Sequence, residues 1–326
     1  MTKNLLSSDL LILGGTGFVG QSLLNFIEKT DRNQPRTGKM YVLARNKQVS
    51  SSLSVTPLLG DLTRDGLTLP EVDVIIHAAT PASASLNITN PAEMYSLNLL
   101  AMKNLLEIVR TWRTSPRIIF TSSGAVYGQM PSSLKTFSES LELQNSSSLQ
   151  SSAYADGKRG AEAMLREATD SGICTGIIAR LFAFSGEHLP RDRHFAIGNF
   201  VESAITMKKI IVRSDGLSIR SYLDERDMAH WLLSIAQKGT SDQIYHIGSE
   251  RAISIRELAY LVAERCELMT GGKIPVEILG HSSPFDGVSR YVPSTFQTRE
   301  KLGLSETISL ETSIDTMLQA AILEHS

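Results

Sequence analysis

The chain has 326 residues, and its 32 Lys and Arg against 34 Asp and Glu leave a formal net charge of −2 with no long run of either sign. That balance gives no electrostatic basis for binding nucleic acid or an anionic membrane surface, so any anion site has to be local. The two cysteines, Cys174 and Cys266, lie far apart with no CxxC or histidine spacing, which reads as two buried thiols and not as a metal cluster or a disulfide framework.

In chain order, the first predicted strand, 9–13, runs straight into Gly14-Gly-Thr-Gly17-Phe18-Val19-Gly20. An apolar run so short, followed by glycines, is no signal h-region, and no stretch approaches membrane-spanning length. A cytoplasmic location is expected. Further strands are predicted at 40–44, 55–59, 72–76, 117–121 and 174–180, with helical patterns in the longest intervals. This alternation predicts an α/β fold with a doubly wound parallel sheet of the Rossmann type. The segment 91–112 reads as a helix with Met94, Leu97, Leu100, Leu105, Ile108 and Val109 on more than one face. Residues 132–152 are serine-rich and poorly periodic, which predicts a surface loop before a helix carrying Tyr154. After Arg180 the alternation loosens, while a helix at 224–238 and a strand at 244–247 return the chain to the main sheet. The expected division is a dinucleotide-binding domain, 1–180 with 223–248, and a smaller, discontinuous C-terminal substrate-binding lobe, 181–222 with 249–326. Ser254-Ile-Arg-Glu257 has capping-box spacing and starts a helix running to about Cys266.

Three glycines between a strand and a helix are the context that a dinucleotide fingerprint needs. Gly14 permits a tight turn, Gly17 lets the backbone approach a pyrophosphate, and Gly20 allows the helix to pack closely on the strand. The positive end of that helix then meets the phosphates. Strand two ends in Ala44-Arg45-Asn46-Lys47, where NAD-preferring sites place an acid for the ribose hydroxyls. A guanidinium there accommodates a 2′-phosphate, so NADP(H) is favoured over NAD(H); the alternative is a solvated strand-end arginine. Asp61, in Gly60-Asp61-Leu62, is either an acceptor for the adenine amino group or a turn-forming aspartate. His77-Ala78-Ala79-Thr80 ends the fourth strand with small residues that let a dinucleotide lie against the backbone, and His77 itself reads as a packed strand-end histidine.

Tyr154-Ala-Asp-Gly-Lys158 carries the chemistry. A phenol has a reference pKa of about 10 and is a poor base at neutral pH. A lysine one helical turn later shares its face and is expected to lower the phenol toward the working pH, while Ser123 orients the oxygen being oxidised or reduced. Alone, this spacing describes a surface Tyr/Lys pair; behind the glycine fingerprint it describes redox chemistry at a carbinol.

Together these residues resemble the extended short-chain dehydrogenase/reductases, the nucleotide-sugar-modifying NAD-dependent epimerase/dehydratase group typified by UDP-galactose 4-epimerase. Gly14 to Gly20, Gly60-Asp61-Leu62, His77 to Thr80, Asn98, Thr121 to Gly128 and the Tyr154/Lys158 pair occur in that family's order over nearly the whole chain. The resemblance implies Ser123 orienting the substrate, Tyr154 as acid/base, Lys158 on the nicotinamide ribose and Asn98 in support. The implied cofactor contacts are Gly14, Gly17, Phe18, Val19, Arg45, Asp61, Leu62, Ala78, Ala79, Thr80, Asn98, Tyr154 and Lys158. It also implies a nucleotide-diphosphate sugar as substrate, with Arg220 and Arg290 on its pyrophosphate, and a homodimer built on the helices 92–113 and 154–169. No metal is expected. Two departures matter. Gly124 and Ala125 stand where dehydratases and decarboxylases of the group carry acids, which makes both activities poor candidates. Ala183 stands where the family often has a substrate-binding Asn, and His188, Arg191, His194 and Asn199 are the candidates to replace it. The expected activity is hydride transfer at a sugar carbinol, C4 in particular, as a 4-epimerase or 4-ketoreductase. The alternatives are a non-catalytic dinucleotide-binding regulatory module and a reductase of a non-sugar carbonyl.

Overall fold

A computed structural model of the chain describes residues 4–31, 35–45, 54–81, 84–143, 149–192, 195–280 and 288–325. The first half alternates as the sequence pattern requires: β1 (Leu10–Leu13), α1 (Phe18–Asp31), β2 (Met40–Ala44), β3 (Thr56–Leu59), β4 (Val74–His77), α2 (Ala84–Thr89), α3 (Pro91–Val109), β5 (Arg117–Ser123), α4 (Leu149–Asp170) and β6 (Thr175–Leu181). The second half begins with β7 (Phe184–Ser185), α5 (Ala196–Thr206), β8 (Ile210–Val212), β9 (Ile219–Arg220) and β10 (Leu223–Asp224). It continues through α6 (Glu225–Lys238), β11 (Ile244–Ile247), β12 (Ile253–Ser254), α7 (Ile255–Thr270), β13 (Val276–Ile278), β14 (Arg290–Tyr291), α8 (Phe296–Leu302) and α9 (Leu310–His325).

Seven parallel strands form the main sheet in the order β11-β6-β5-β4-β1-β2-β3. The order reverses between β1 and β4, and ligands of such open sheets bind at that switch point, outside the carboxyl ends of the strands. Side chains alternate across β1: Leu10 and Ile12 join one core with Leu23, Trp231 and Leu232 of α1 and α6, while Leu11 and Leu13 join another with Met102, Leu105 and Leu165 of α3 and α4. Both faces are therefore covered, which a parallel sheet needs. A further core gathers Ile197, Phe200 and Val201 of α5, Leu258 and Val262 of α7, and Ile314 and Leu318 of α9.

Several expectations are met closely. Ser254 and Glu257 form the capping box, and Cys174 and Cys266 are buried thiols. The segment 132–152 differs from a plain surface loop: α4 already begins at Leu149, and Phe137 is fully buried against Tyr127 and Phe182 in a backbone bridge to Pro293. A single aromatic residue anchors a stretch whose serine content conceals it. Asn46, Lys47 and residues 144–148 lie outside the described residues.

Candidate active site

The turn after β1 is built by contact. Gly14 has φ +93°, and a Cβ there would lie 2.7 Å from the carbonyl oxygen of Ala78; a Cβ at Gly20 would lie 2.3 Å from the Gly14 oxygen. The loop consequently seats against the end of β4, Gly17 stays exposed, and α1 starts at Phe18 directly after the turn. This cradle, which any side chain would fill, fits the pyrophosphate of a dinucleotide. Arg45, Asp61, Leu62 and Ala79 follow the carboxyl ends of β2, β3 and β4 beside it. Arg45 is exposed, Leu62 is buried, and Asp61 makes a turn in which Thr63 donates its N–H and hydroxyl to Oδ1 at 2.9 and 2.7 Å. Against the burial that would raise it, those donors and the nearby Arg45 and Arg64 hold the Asp61 carboxyl below its ordinary range.

Next to the cradle, one cavity of about 580 Å³ is lined by Phe18, Val19, Ala78, Thr80, Ser123, Tyr154, Lys158 and Arg220 together with residues of the second half. β5 ends at Ser123, whose hydroxyl accepts from the Ala125 N–H at 3.1 Å and so caps the short 3-10 turn that follows. Residues 154 and 158 share a face of α4. Lys158 is 2% exposed and its Nζ donates to Thr80 Oγ1 at 2.6 Å and to the Thr121 carbonyl at 2.8 Å. Burial pulls its ammonium down to about 7, with the Glu162 carboxylate one turn further on opposing that shift. Burial likewise raises the Tyr154 phenol above its ordinary value, and the Ser123 hydroxyl pulls it back. Here the expectation from sequence needs correcting. Lys158 lies 5.7 Å from the centre of the Tyr154 ring with two of its three donors on Thr80 and Thr121, and burial outweighs what lowers the phenol, which stands above its ordinary value in this geometry. His77 is fully buried beneath Lys158 and held neutral, near 3, by burial and by that ammonium, as a packed strand-end histidine should be.

Other predicted residues lie elsewhere. Asn98 is buried in α3, donating to the Met94 carbonyl at 2.9 Å, with no hydrogen-bond partner for its Oδ1 among the described residues. Asn199 is exposed on α5 and does not line the cavity. Arg191 pairs with Glu202 and Glu324, His188 bonds to the buried Glu225 at 2.8 Å, and His194 lies outside the described residues. The place of the family's Asn is lined instead by Ala183, Leu189, Phe195 and Ala196. Arg220 reaches the cavity from β9 while donating to the carbonyls of Ile219 and Ser289 at 2.8 and 3.2 Å. Arg290 turns the other way, to the carbonyl of Lys135, and its neighbour Tyr291 enters the cavity. Burial pushes the Tyr291 phenol well up, and the Ser123 hydroxyl pulls it part of the way back. Asn87 of α2 also faces in and accepts from the Tyr154 N–H at 2.9 Å.

The profile of the NAD-dependent epimerase/dehydratase family matches residues 10–248, which include the glycine cradle, Ser123, Tyr154, Lys158 and Arg220. The chain belongs to that family. Among its relatives is UDP-glucuronic acid decarboxylase 6 of Arabidopsis thaliana, 26% identical over 315 residues that cover 94% of this chain and 87% of the relative. Among solved structures, the UDP-glucose 4-epimerase of Thermotoga maritima, determined with UDP-glucose, superposes with a TM-score of 0.78 at 18% identity, covering 98% of this chain and all of that one. RMD from Pseudomonas aeruginosa, complexed with NADPH, gives 0.79 at 22% identity over 99% of this chain and all of that one. At such identities these two likenesses concern the fold. Sequence reasoning missed Asn87, Phe182, Tyr222 and Tyr291. Tyr291 stood beside a residue chosen for its charge, and the others carry no motif of their own.

Proposed function

We propose that this member of the epimerase/dehydratase family is an NAD(P)-dependent nucleotide-sugar oxidoreductase or epimerase acting at a ring carbinol, C4 being the leading position. The observation that carries the reading is the convergence of Ser123, Tyr154 and Lys158 on one cavity beside the glycine cradle. A nicotinamide dinucleotide bound along Gly14, Gly17, Phe18, Val19, Asp61, Leu62, Ala78, Ala79 and Thr80 would supply the hydride acceptor or donor. Tyr154 Oη, as a neutral phenol, would give its proton to the substrate oxygen in the reducing direction and, once ionised, take one from the carbinol in the oxidising direction, and the Ser123 hydroxyl would fix the oxygen by hydrogen bonding. Lys158, held by Thr80 and Thr121, presents a cation to the same corner. Asn98, packed where α3 meets Gly157 of α4, is in support. Arg220 holds one end of the substrate diphosphate with charge-assisted bonds. Gly124 and Ala125 offer no carboxyl to protonate a leaving hydroxyl, which argues against dehydration.

Arg45, exposed at the end of β2, supports NADP(H) over NAD(H) and with it a ketoreductase that consumes its reductant. The division into a dinucleotide-binding part, 1–180 with 223–248, and a substrate-binding lobe is supported by the separate core around α5, α7 and α9. A homodimer through α3 and α4 is supported by Tyr95 and Leu100, 38% and 37% exposed on α3. A second reading, reduction of a non-sugar carbonyl, is favoured by the orientation of Arg290, which leaves Arg220 and Lys158 as the cationic side chains among the cavity's lining residues. Nicotinamide absorbance measured over a panel of UDP, dTDP, GDP and CDP sugars tests the first reading against the second. Turnover confined to non-sugar carbonyls would reverse their order.

A further inference from the structure

Ser123 is followed by glycine, and the reason is steric. A Cβ at Gly124 would lie 2.5 Å from Cε1 of Phe182, and a Cβ at Gly248 would lie 3.0 Å from Cβ of Phe182. Two glycines thus clear a slot, and Phe182 fills it. The ring is 8% exposed, lines the cavity, and packs against Tyr291 with centroids 4.9 Å apart. Burial raises the Tyr291 phenol, against the pull of the Ser123 hydroxyl, so it stays a neutral phenol at this wall. The corner next to the Ser123/Tyr154 pair is therefore walled by two aromatic rings, at the position where an acid would need to stand.

A sugar whose reacting oxygen lies between Ser123 and Tyr154 brings a substituent of the adjoining ring carbon against that wall. We infer that this site selects nucleotide sugars carrying hydrogen or methyl, and not hydroxyl, hydroxymethyl or carboxylate, at a carbon flanking the reacting carbinol. The inference rests on the nucleotide-sugar reading above. A polar substituent set against the Phe182 ring gives up its water and gains no hydrogen bond from the ring carbons, while two of the three Lys158 donors are already held by Thr80 and Thr121. A methyl group or hydrogen loses nothing there, and discrimination of about tenfold to a hundredfold follows.

The test is calorimetric titration of the full-length protein, saturated with dinucleotide, with matched glucose, 3-deoxyglucose, 6-deoxyglucose and glucuronic acid derivatives on each of UDP, dTDP, CDP and GDP. On the base that binds, at least one deoxy sugar should bind about tenfold or more tightly than its glucose parent, and glucuronic acid weakest. Phe182→Ser, with its fold checked by thermal melting, should narrow the ratio several-fold. Glucose or glucuronic acid binding as well as both deoxy sugars overturns the inference and leaves the nucleotide-sugar reading standing. Binding of no sugar on any base overturns both.

Discussion

Glu162 offers the most decisive test of how the site is held. It lies on α4, one turn after Lys158, and is 1% exposed. Its carboxylate takes two bonds from the Arg180 guanidinium, at 3.0 and 2.7 Å, and one from the Ser122 hydroxyl at 2.5 Å, and so ties α4 to the ends of β5 and β6 that carry the site. Arg180 is itself 1% exposed, with its guanidinium 4.7 Å from the centre of the Tyr127 ring. Glu162→Gln keeps the shape but leaves a buried cation uncompensated, a loss of about 3–5 kcal/mol. With a urea m-value of about 3 kcal/mol/M, the unfolding midpoint should fall by roughly 1–2 M. Combining Glu162→Gln with Arg180→Met should recover most of that loss, since removing both charges removes the desolvation as well. The substitution also acts on Lys158. Its folded pKa of about 7 lies below the lysine value of 10.5, so the unfolded chain holds the extra proton between those values, and stability rises with pH across that window. Glu162 supports the charged form, so its loss lowers the folded pKa further and moves the alkaline limb of dinucleotide affinity to lower pH. Urea unfolding and fluorescence titration of dinucleotide between pH 6 and 9 would measure both effects. A midpoint unchanged in the single variant, with an unshifted pH profile, would refute the reasoning.

Tyr154→Phe should cut turnover by about 10²–10⁴-fold while leaving dinucleotide affinity nearly unchanged, because the ring still packs and only the proton carrier is removed; steady-state rates beside calorimetry would expose a variant that keeps its activity. Arg45→Asp should invert the cofactor preference, with a charged hydrogen bond contributing about 1.5–3 kcal/mol and hence roughly tenfold to a hundredfold in relative affinity. Tighter NAD binding by the unaltered protein would make Arg45 a solvated strand-end residue. Leu100→Glu, on the half-buried face of α3, should split the proposed dimer, as light scattering at micromolar concentration would report; a monomer before substitution would sink the idea.

Local physics is what the sequence by itself determined. The glycine cradle is legible because each glycine answers a backbone contact a few residues away, apart from Gly14 against Ala78, and the strand-glycine-helix order declares it. Tyr154 and Lys158 are legible because four residues of helix put them on one face. The parallel sheet is legible because strands buried on both faces are written as apolar runs. Two-residue strands such as β9 and β14 have no readable period, yet their pairing, Tyr291 opposite Arg220, helps decide what enters the cavity. The tertiary structure alone turned Arg290 outward and Tyr291 inward, set Phe182 into the gap left by Gly124 and Gly248, and gave His188 to Glu225. It also converted Glu162 and Arg180, two unremarked charges 18 residues apart, into a buried pair behind the site. Each of these outcomes depends on where a segment from the other half of the chain, or another strand of the sheet, comes to rest, and residue spacing along one element carries no record of that.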